Sequence, residues 1–268
     1  MEESKISPIR DVDENPVDAD RKRPRRGIYL LPNLITTGAL FSGFYAIIGA
    51  MSGALESAAI AIVIAGFLDS LDGRIARLTN TQTEFGVQYD SLSDLVAFGV
   101  APAVLLFSWV LSDFGKVGWM LAFLYMACAA LRLARFNTAP ESKSFTGLAS
   151  PAAAGTMATM VWVWQDNVAP IGPLPPEVPF QLSLAIAVLS TVVALLMVSS
   201  VRYYSPKHID LKGRVPFFYM LLIVFLFVVV FIYPPGVLFT IGLVYAVSGP
   251  IHSIVRRRAK EVVTPAEP

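Results

Sequence analysis

Residues that build disulfide frameworks and nitrogen- or sulfur-ligated metal sites are almost absent: one cysteine, Cys128, and two histidines, His208 and His252, in 268 residues. That excludes a disulfide scaffold, a cysteine-based zinc cluster and a histidine-rich metal site, so any metal chemistry must rest on carboxylates. Charge is scarce as well. Charged residues make up 15% of the chain and hydrophobic ones 55%, whereas about a quarter of a soluble globule is charged. With a mean hydropathy of +0.61, the chain is no ordinary water-soluble domain. The net charge is only +1, and no nucleic-acid partner is expected. A cleavable leader is also missing from the pattern. Residues 1–26 are polar, acidic at first (Asp11, Asp13, Glu14, Asp18, Asp20) and then basic (Arg21, Lys22, Arg23, Arg25, Arg26), the reverse of a short basic region followed by an apolar one. This stretch reads as a disordered cytoplasmic tail.

What the chain does have is long apolar runs. Crossing about 30 Å of hydrocarbon takes about 20 residues. Eight segments meet or approach that length: 31–52, 55–77, 88–112, 116–136, 149–165, 179–201, 215–233 and 236–255. Joins as short as Gly53-Ala54 and Pro234-Pro235 force neighbouring helices into antiparallel hairpins. The expected fold is therefore all-α, a polytopic integral membrane bundle of about eight transmembrane helices in a lipid bilayer. Orientation follows from the rule that cytoplasmic loops carry the excess of Lys and Arg. With the N-terminus inside, every one of the 21 Lys and Arg except Lys116 falls on the inner side, which places both termini in the cytoplasm. All four tryptophans, Trp109, Trp119, Trp162 and Trp164, fall at the outer ends, as an interfacial belt requires.

Against this background the informative residues are acids within the spans, because an intramembrane ionisable group is costly and marks function. Asp69 and Asp72 lie near the end of the second span, Asp90 and Asp94 near the start of the third. Spacings of three and four put each pair on one face of its helix. In the hairpin between them Asp72 should face Asp90, and Asp69 should face Asp94 about one turn deeper. Four carboxylates gathered in a low dielectric repel one another unless protonated or neutralised by cations. Hard oxygen ligands without nitrogen or sulfur point to a pair of Mg2+ or Mn2+ ions, the arrangement used in phosphoryl transfer. Gly73 and Gly86 admit close approach of a ligand to the backbone, Ala76 keeps the same face shallow, and Arg77 offers a fork of donors to a phosphate. The site should open toward the cytoplasm. A solvated helix cap accounts for a single Asp but not for four on facing helices. An ion or proton pathway also uses intramembrane acids, but no inverted repeat or second broken helix is visible, and these acids sit near one surface.

The stretch Asp69-Ser-Leu-Asp72-Gly73-Arg-Ile-Ala76-Arg77, eight residues, then Gly86-Val-Gln-Tyr-Asp90-Ser-Leu-Ser-Asp94 matches D-x-x-D-G-x-x-A-R-x8-G-x3-D-x3-D at every specified position. It resembles the signature of the CDP-alcohol phosphotransferases. Among these the chain is most similar to membrane-embedded members whose acceptor is L-serine. The supporting stretches are Leu31-Pro32-Asn33-Leu34-Ile35-Thr36, Leu131-Arg132-Leu133-Ala134-Arg135-Phe136-Asn137, and Phe145 through Pro151, where Ala149 replaces the usual proline.

The resemblance implies a six-helix catalytic core over 29–203, two additional helices over 204–256, and cytoplasmic tails at 1–28 and 257–268. It assigns Asp69, Asp72 and Asp90 to two divalent cations, Mn2+ or Mg2+, and Asp94 both to a metal and to the role of general base. Gly73, Ala76, Arg77, Thr83 and Gly86 match positions that hold the CDP moiety, with Asn33 and Thr36 touching its diphosphate. The implied substrates are CDP-diacylglycerol and L-serine, the product besides the lipid is CMP, the state is a homodimer, and the home is a bacterial cytoplasmic membrane. Glycerol 3-phosphate, an inositol phosphate or choline are the alternative acceptors, while a transporter would show flux and no CMP release. Serine brings a carboxylate, and Arg132 or Arg135 at the cytoplasmic end of the fourth span is the expected partner for it. The basic clusters Arg21 to Arg26 and Arg256 to Arg258 are explained by topology alone. His208 reads as a solvated loop residue, His252 as a hydrogen-bonding group within the bundle, and Cys128 as a small packing residue.

Overall fold

Continuous apolar sequence interrupted by short turns gives helices and nothing else among the described residues. The computed structural model describes residues 30–79, 83–138, 146–167, 178–201, 203 and 217–263. The tail 1–28 with its basic cluster, and the loop carrying His208, lie outside them. The helices are α1 (Leu30–Met51), α2 (Leu55–Thr79), α3 (Glu84–Asp94), α4 (Ala101–Trp109), α5 (Lys116–Thr138), α6 (Ser150–Asn167), α7 (Phe180–Val198), α8 (Phe217–Ile232) and α9 (Pro234–Val263). A six-residue π turn, Leu95–Val100, joins α3 to α4 without a break, so the described residues form eight rods. Five of these are long and apolar enough, by length and composition, to cross a membrane: Pro32–Met51, Glu84–Trp109, Lys116–Thr138, Phe180–Val198 and Pro234–Ser253. The other three are α2, with acids and arginines in its second half, the small-residue helix α6, and α8. The chain is an all-α polytopic membrane protein.

Two boundaries differ from expectation. The third rod begins at Glu84 rather than 88, because Thr83 caps it: the Thr83 hydroxyl accepts from the Gly86 N–H at 3.0 Å, satisfying a donor that the first turn leaves free. At the other end, α9 runs through Pro250 to Val263, past the predicted end of the span. Arg256-Arg-Arg-Ala-Lys-Glu consists of good helix formers, and an established helix extends readily into such sequence.

Small residues make up much of the buried surface, alongside bulky ones such as Phe98, Leu105, Leu106 and Tyr125. The buried face of α2 is Ala58, Ala59, Ala61, Ile62 and Ala65, and that of α6 includes Ala153, Ala154, Met157 and Ala158. Large apolar side chains such as Phe41, Phe67, Phe227 and Phe231 point outward. This is the distribution expected where lipid is the solvent and backbones associate by close contact. The Ser42 hydroxyl crosses from α1 to donate to the Ala61 carbonyl at 2.8 Å. At the ends of the rods away from the acids, the Trp109 and Trp164 rings lie 6.2 Å apart and those of Phe114 and Phe180 5.8 Å apart, so the expected tryptophan belt is in part a packed aromatic layer.

The π turn has a local cause. Pro102 supplies no N–H, and its ring would collide with the carbonyl four residues back in a regular helix. The wider turn resolves this, with the Ala101 N–H reaching the Val96 carbonyl. The same turn buries Ala97, Phe98 and Gly99 and presses Ala97 against α1. A Cβ at Gly43 would stand 2.8 Å from the Ala97 Cα. Gly43→Leu should therefore destabilise the bundle by about 1–3 kcal/mol through overpacking, read as a lower melting temperature in detergent. An unchanged melting temperature would show that α1 and the π turn are not locked at this contact.

Candidate active site

The second half of α2 and the first half of α3 bring the acids together. Asp69, Asp72 and Asp90 each offer a carboxylate oxygen within 4.8 Å of the others. Asp94 joins the group through side-chain hydrogen-bond contact with Asp69. The pairing across the hairpin thus places Asp69 against Asp94, while Asp72 and Asp90 share the wall of one cavity.

Helix α1 closes this cavity from a third side. The buried Thr36 hydroxyl donates to Asp72 Oδ2 at 2.7 Å, and the Ser93 hydroxyl donates to the Thr36 carbonyl at 3.2 Å. One turn along, the hydroxyls of Thr37 and Tyr89 are 2.9 Å apart. These bonds fix α1 on α3 and aim one carboxylate.

The cavity, about 170 Å³, is lined by Asn33, Thr36, Asp72, Gly73, Ala76, Thr83, Gly86 and Asp90, together with Pro32 and Val87. Six of the seven positions expected around the CDP moiety are therefore gathered in one wall. Arg77 is the exception: it is not among the lining residues, and its Nε donates to the Gly73 carbonyl at 2.8 Å. The two glycines differ in what they make room for. A Cβ at Gly86 would crowd the capping hydroxyl of Thr83 at 3.1 Å and Asn33 Oδ1 at 3.4 Å, whereas a Cβ at Gly73 would meet nothing within 4 Å. Gly86 is small for the sake of the protein's own cap. Gly73 lines the cavity and leaves open space there, room for close approach to the backbone.

Arg132 is a basic residue within electrostatic range of Asp94. Its Nη1 donates to the Ser150 hydroxyl at 2.7 Å, and it interacts electrostatically with Asp94 and with Tyr245 of α9. Its Nε is buried without a partner. Ser150 is held by the turn that precedes α6. Gly147 has φ +83°, and its N–H donates to the Val201 carbonyl at 2.8 Å while the Leu148 N–H donates to the Leu196 carbonyl at 3.0 Å. Only glycine takes that backbone conformation without strain, and a Cβ there would strike the Met197 carbonyl. Arg135 is placed differently: exposed, with Nη1 3.5 Å from the Val198 carbonyl at the end of α7. The two candidate arginines are thus separated, one in electrostatic range of Asp94 and one capping a neighbouring helix.

Sequence reasoning passed over Pro32, Val87, Ser93, Ser150 and Tyr245. Ser93 sits one residue before Asp94 and Ser150 ends the turn Gly147-Leu-Ala and opens α6, both in stretches already singled out; Tyr245 lies in an apolar helix with no local signal. Four carboxyls with no nitrogen or sulfur among them make a donor set suited to a hard divalent cation.

The whole-chain comparisons agree with this geometry. A family model described as CDP-alcohol phosphatidyltransferase matches residues 29–174. The chain is 37% identical over 203 residues to the CDP-diacylglycerol–serine O-phosphatidyltransferase of Helicobacter pylori, covering 75% of this chain and 81% of that one. It is 35% identical over 176 residues to the archaetidylserine synthase of Methanothermobacter thermautotrophicus, covering 65% and 69% respectively. A CDP-diacylglycerol–serine O-phosphatidyltransferase of Bacillus subtilis is 34% identical over 144 residues, 53% of this chain and 81% of that one. With its signature acids converging on a glycine-floored cavity and more than half its length matched, the chain belongs to the CDP-alcohol phosphatidyltransferase family.

Proposed function

We propose that this enzyme transfers the phosphatidyl group of CDP-diacylglycerol to the hydroxyl of L-serine and releases CMP. The observation that carries the reading is the convergence of the signature carboxylates Asp69, Asp72 and Asp90 within 4.8 Å of one another, with Asp94 hydrogen-bonded to Asp69 and in electrostatic range of Arg132. An amino-acid acceptor whose carboxylate is held by Arg132 brings its hydroxyl to that acid. The names of the Helicobacter, Bacillus and Methanothermobacter relatives support serine as the acceptor. The one-sided charge pattern supports a site on the cytoplasmic face, and the family resemblance extends the reading to a homodimer in a bacterial cytoplasmic membrane.

Asp69, Asp72, Asp90 and Asp94 would hold two divalent cations, Mn2+ or Mg2+, which would supply neutralisation of the diphosphate and of the charge that builds on phosphorus. The protein's own groups position everything else. Thr36 fixes Asp72, Gly73 lets the diphosphate lie against backbone, and Asn33 presents its amide to the same cavity. The Asp94 carboxylate takes the proton from the serine hydroxyl as the serine oxygen bonds to the phosphorus bearing diacylglycerol. The bond from that phosphorus to the bridging oxygen breaks, and CMP leaves with the electron pair. Proximity and orientation of the two substrates carry much of the acceleration.

Three outcomes follow. Purified enzyme with CDP-diacylglycerol and Mn2+ should release CMP when serine is added, and Asp94→Asn should cut that rate by about 10²–10⁴-fold, the usual worth of a positioned base; release with glycerol 3-phosphate, an inositol phosphate or choline instead would sink the serine assignment, and ion flux without CMP would sink the enzyme. Gly73→Val should leave the melting temperature unchanged yet raise the KM for CDP-diacylglycerol, and an unaltered KM would remove Gly73 from the substrate's path. Arg132→Ala should raise the serine KM by about tenfold or more, the loss of a charged hydrogen bond, with CDP-diacylglycerol binding intact and Arg135→Ala near wild type. Equal serine KM in all three proteins would take Arg132 out of the acceptor site.

A further inference from the structure

Thr36, on α1, is bonded to both helices that carry the acids, and the two bonds come from different parts of the residue. Its side chain holds α2: the hydroxyl lies 2.7 Å from Asp72 Oδ2 and 3.1 Å from the Pro32 carbonyl of its own helix. Its main chain holds α3: the Thr36 carbonyl accepts from the Ser93 hydroxyl at 3.2 Å, and Ser93 is the residue before Asp94. All three residues are buried, with Thr36 5%, Asp72 4% and Ser93 1% exposed. At that depth, removing one partner of a bond leaves the other unsatisfied.

The family resemblance assigns Thr36 to the diphosphate, but a threonine hydroxyl has a single proton to give. An ionised Asp72, the Pro32 carbonyl and a diphosphate oxygen are all acceptors, so they compete for it. Asp72 is the shorter contact, and a bond to an ionised acceptor is about twice as strong as one to a neutral carbonyl. A diphosphate entering the cavity finds that proton already given. Asn33, three residues earlier, lines the same cavity with an amide that has two protons to donate.

We propose that Thr36 is a positioning residue of the cation site and not a contact of the diphosphate: its hydroxyl orients Asp72, and its carbonyl holds, through Ser93, the turn of α3 that carries Asp94. Together the two bonds set the separation between carboxylates that come from two different helices. A carboxylate binds a cation more weakly when the partner that orients it is lost. The inference rests on the reading of the four carboxylates as a cation site. It gives α1, a helix without any acid of its own, part of the control over cation affinity.

The test measures Mn2+ binding directly: the full-length protein in detergent, without substrate, is titrated while the signal of free Mn2+ is followed by electron paramagnetic resonance. Thr36→Val keeps the branched shape and removes the hydroxyl, Thr36→Ser keeps the hydroxyl, and Ser93→Ala cuts the other bond. Thr36→Val should weaken Mn2+ binding about 10- to 100-fold, the usual effect of losing a group that orients a metal ligand, and Thr36→Ser should recover most of that loss. Ser93→Ala should weaken it in the same direction by about two- to tenfold, the worth of a neutral hydrogen bond. With Mn2+ raised to saturate each protein, the KM for CDP-diacylglycerol should be no higher in Thr36→Val than in Thr36→Ser. Wild-type Mn2+ affinity in a folded Thr36→Val, or no recovery in Thr36→Ser, overturns the inference. So does a CDP-diacylglycerol KM that stays raised in Thr36→Val at saturating Mn2+, which returns Thr36 to the diphosphate. If Thr36→Val does not fold, Ser93→Ala decides, and wild-type affinity in that variant overturns the inference. A wild type that binds no Mn2+, or binds it equally well after Asp72→Asn, overturns the cation reading itself.

Discussion

Four carboxyls must share a few ångströms inside apolar helices, and the rest of the molecule is arranged around that repulsion. Spread over four helices, they would each need a separate polar environment; confined to one hairpin with spacings of three and four, they share one. The hairpin in turn needs a third wall to keep water from filling the space where a substrate must lie. Helix α1 provides it, and the bond from Thr36 to Asp72 ties that wall to the charge it shields. Because the acids lie in the second half of α2 and in the helix that starts at Glu84, the cluster lies toward one end of these two helices.

Small residues serve three different purposes here, and only the structure separates them. At Gly43 a missing side chain lets two backbones meet, at Gly147 it permits a left-handed turn, and at Gly73 it leaves space that no protein atom fills. The first two are internal requirements of folding. The third lines the cavity that Asp72 and Asp90 share, which is why it bears on function more directly than the others.

Much of this was legible in the sequence because the relevant signals are local. Helix periodicity places Asp69 with Asp72 and Asp90 with Asp94, and the eight-residue gap sets the hairpin. What escaped was set by contacts between distant elements. Nothing near Arg132 and Arg135 says which of them turns inward; that is decided by Ser150 on α6 and by the end of α7. Arg77, expected at the phosphates, gives its Nε to the Gly73 carbonyl of its own helix, a bond that the sequence does not announce. Tyr245 is more than a hundred residues from Arg132 and sits in a run of apolar sequence, so only tertiary packing brings the two within electrostatic range. The π turn was missed because the apolar run 88–112 reads as continuous helix, even though Pro102 stands within it.

That turn determines more than a bend. A π turn accommodates one residue beyond what a regular helix would, and one residue is about 100° of rotation. The segment from Leu95 to Val100 thus works as a phase adjuster: the inner half of the rod is angled to present acids to the cavity, while the outer half is angled to bury Leu105 and Leu106. The two halves obey separate requirements and are joined by a fixed count of residues. Side-chain changes on the outer half leave the acids where they are, whereas losing a single residue from the turn would force a choice between burying the leucines and aiming the carboxylates. In this rod, chain length between Asp94 and Pro102 is under tighter constraint than the identity of the residues that fill it.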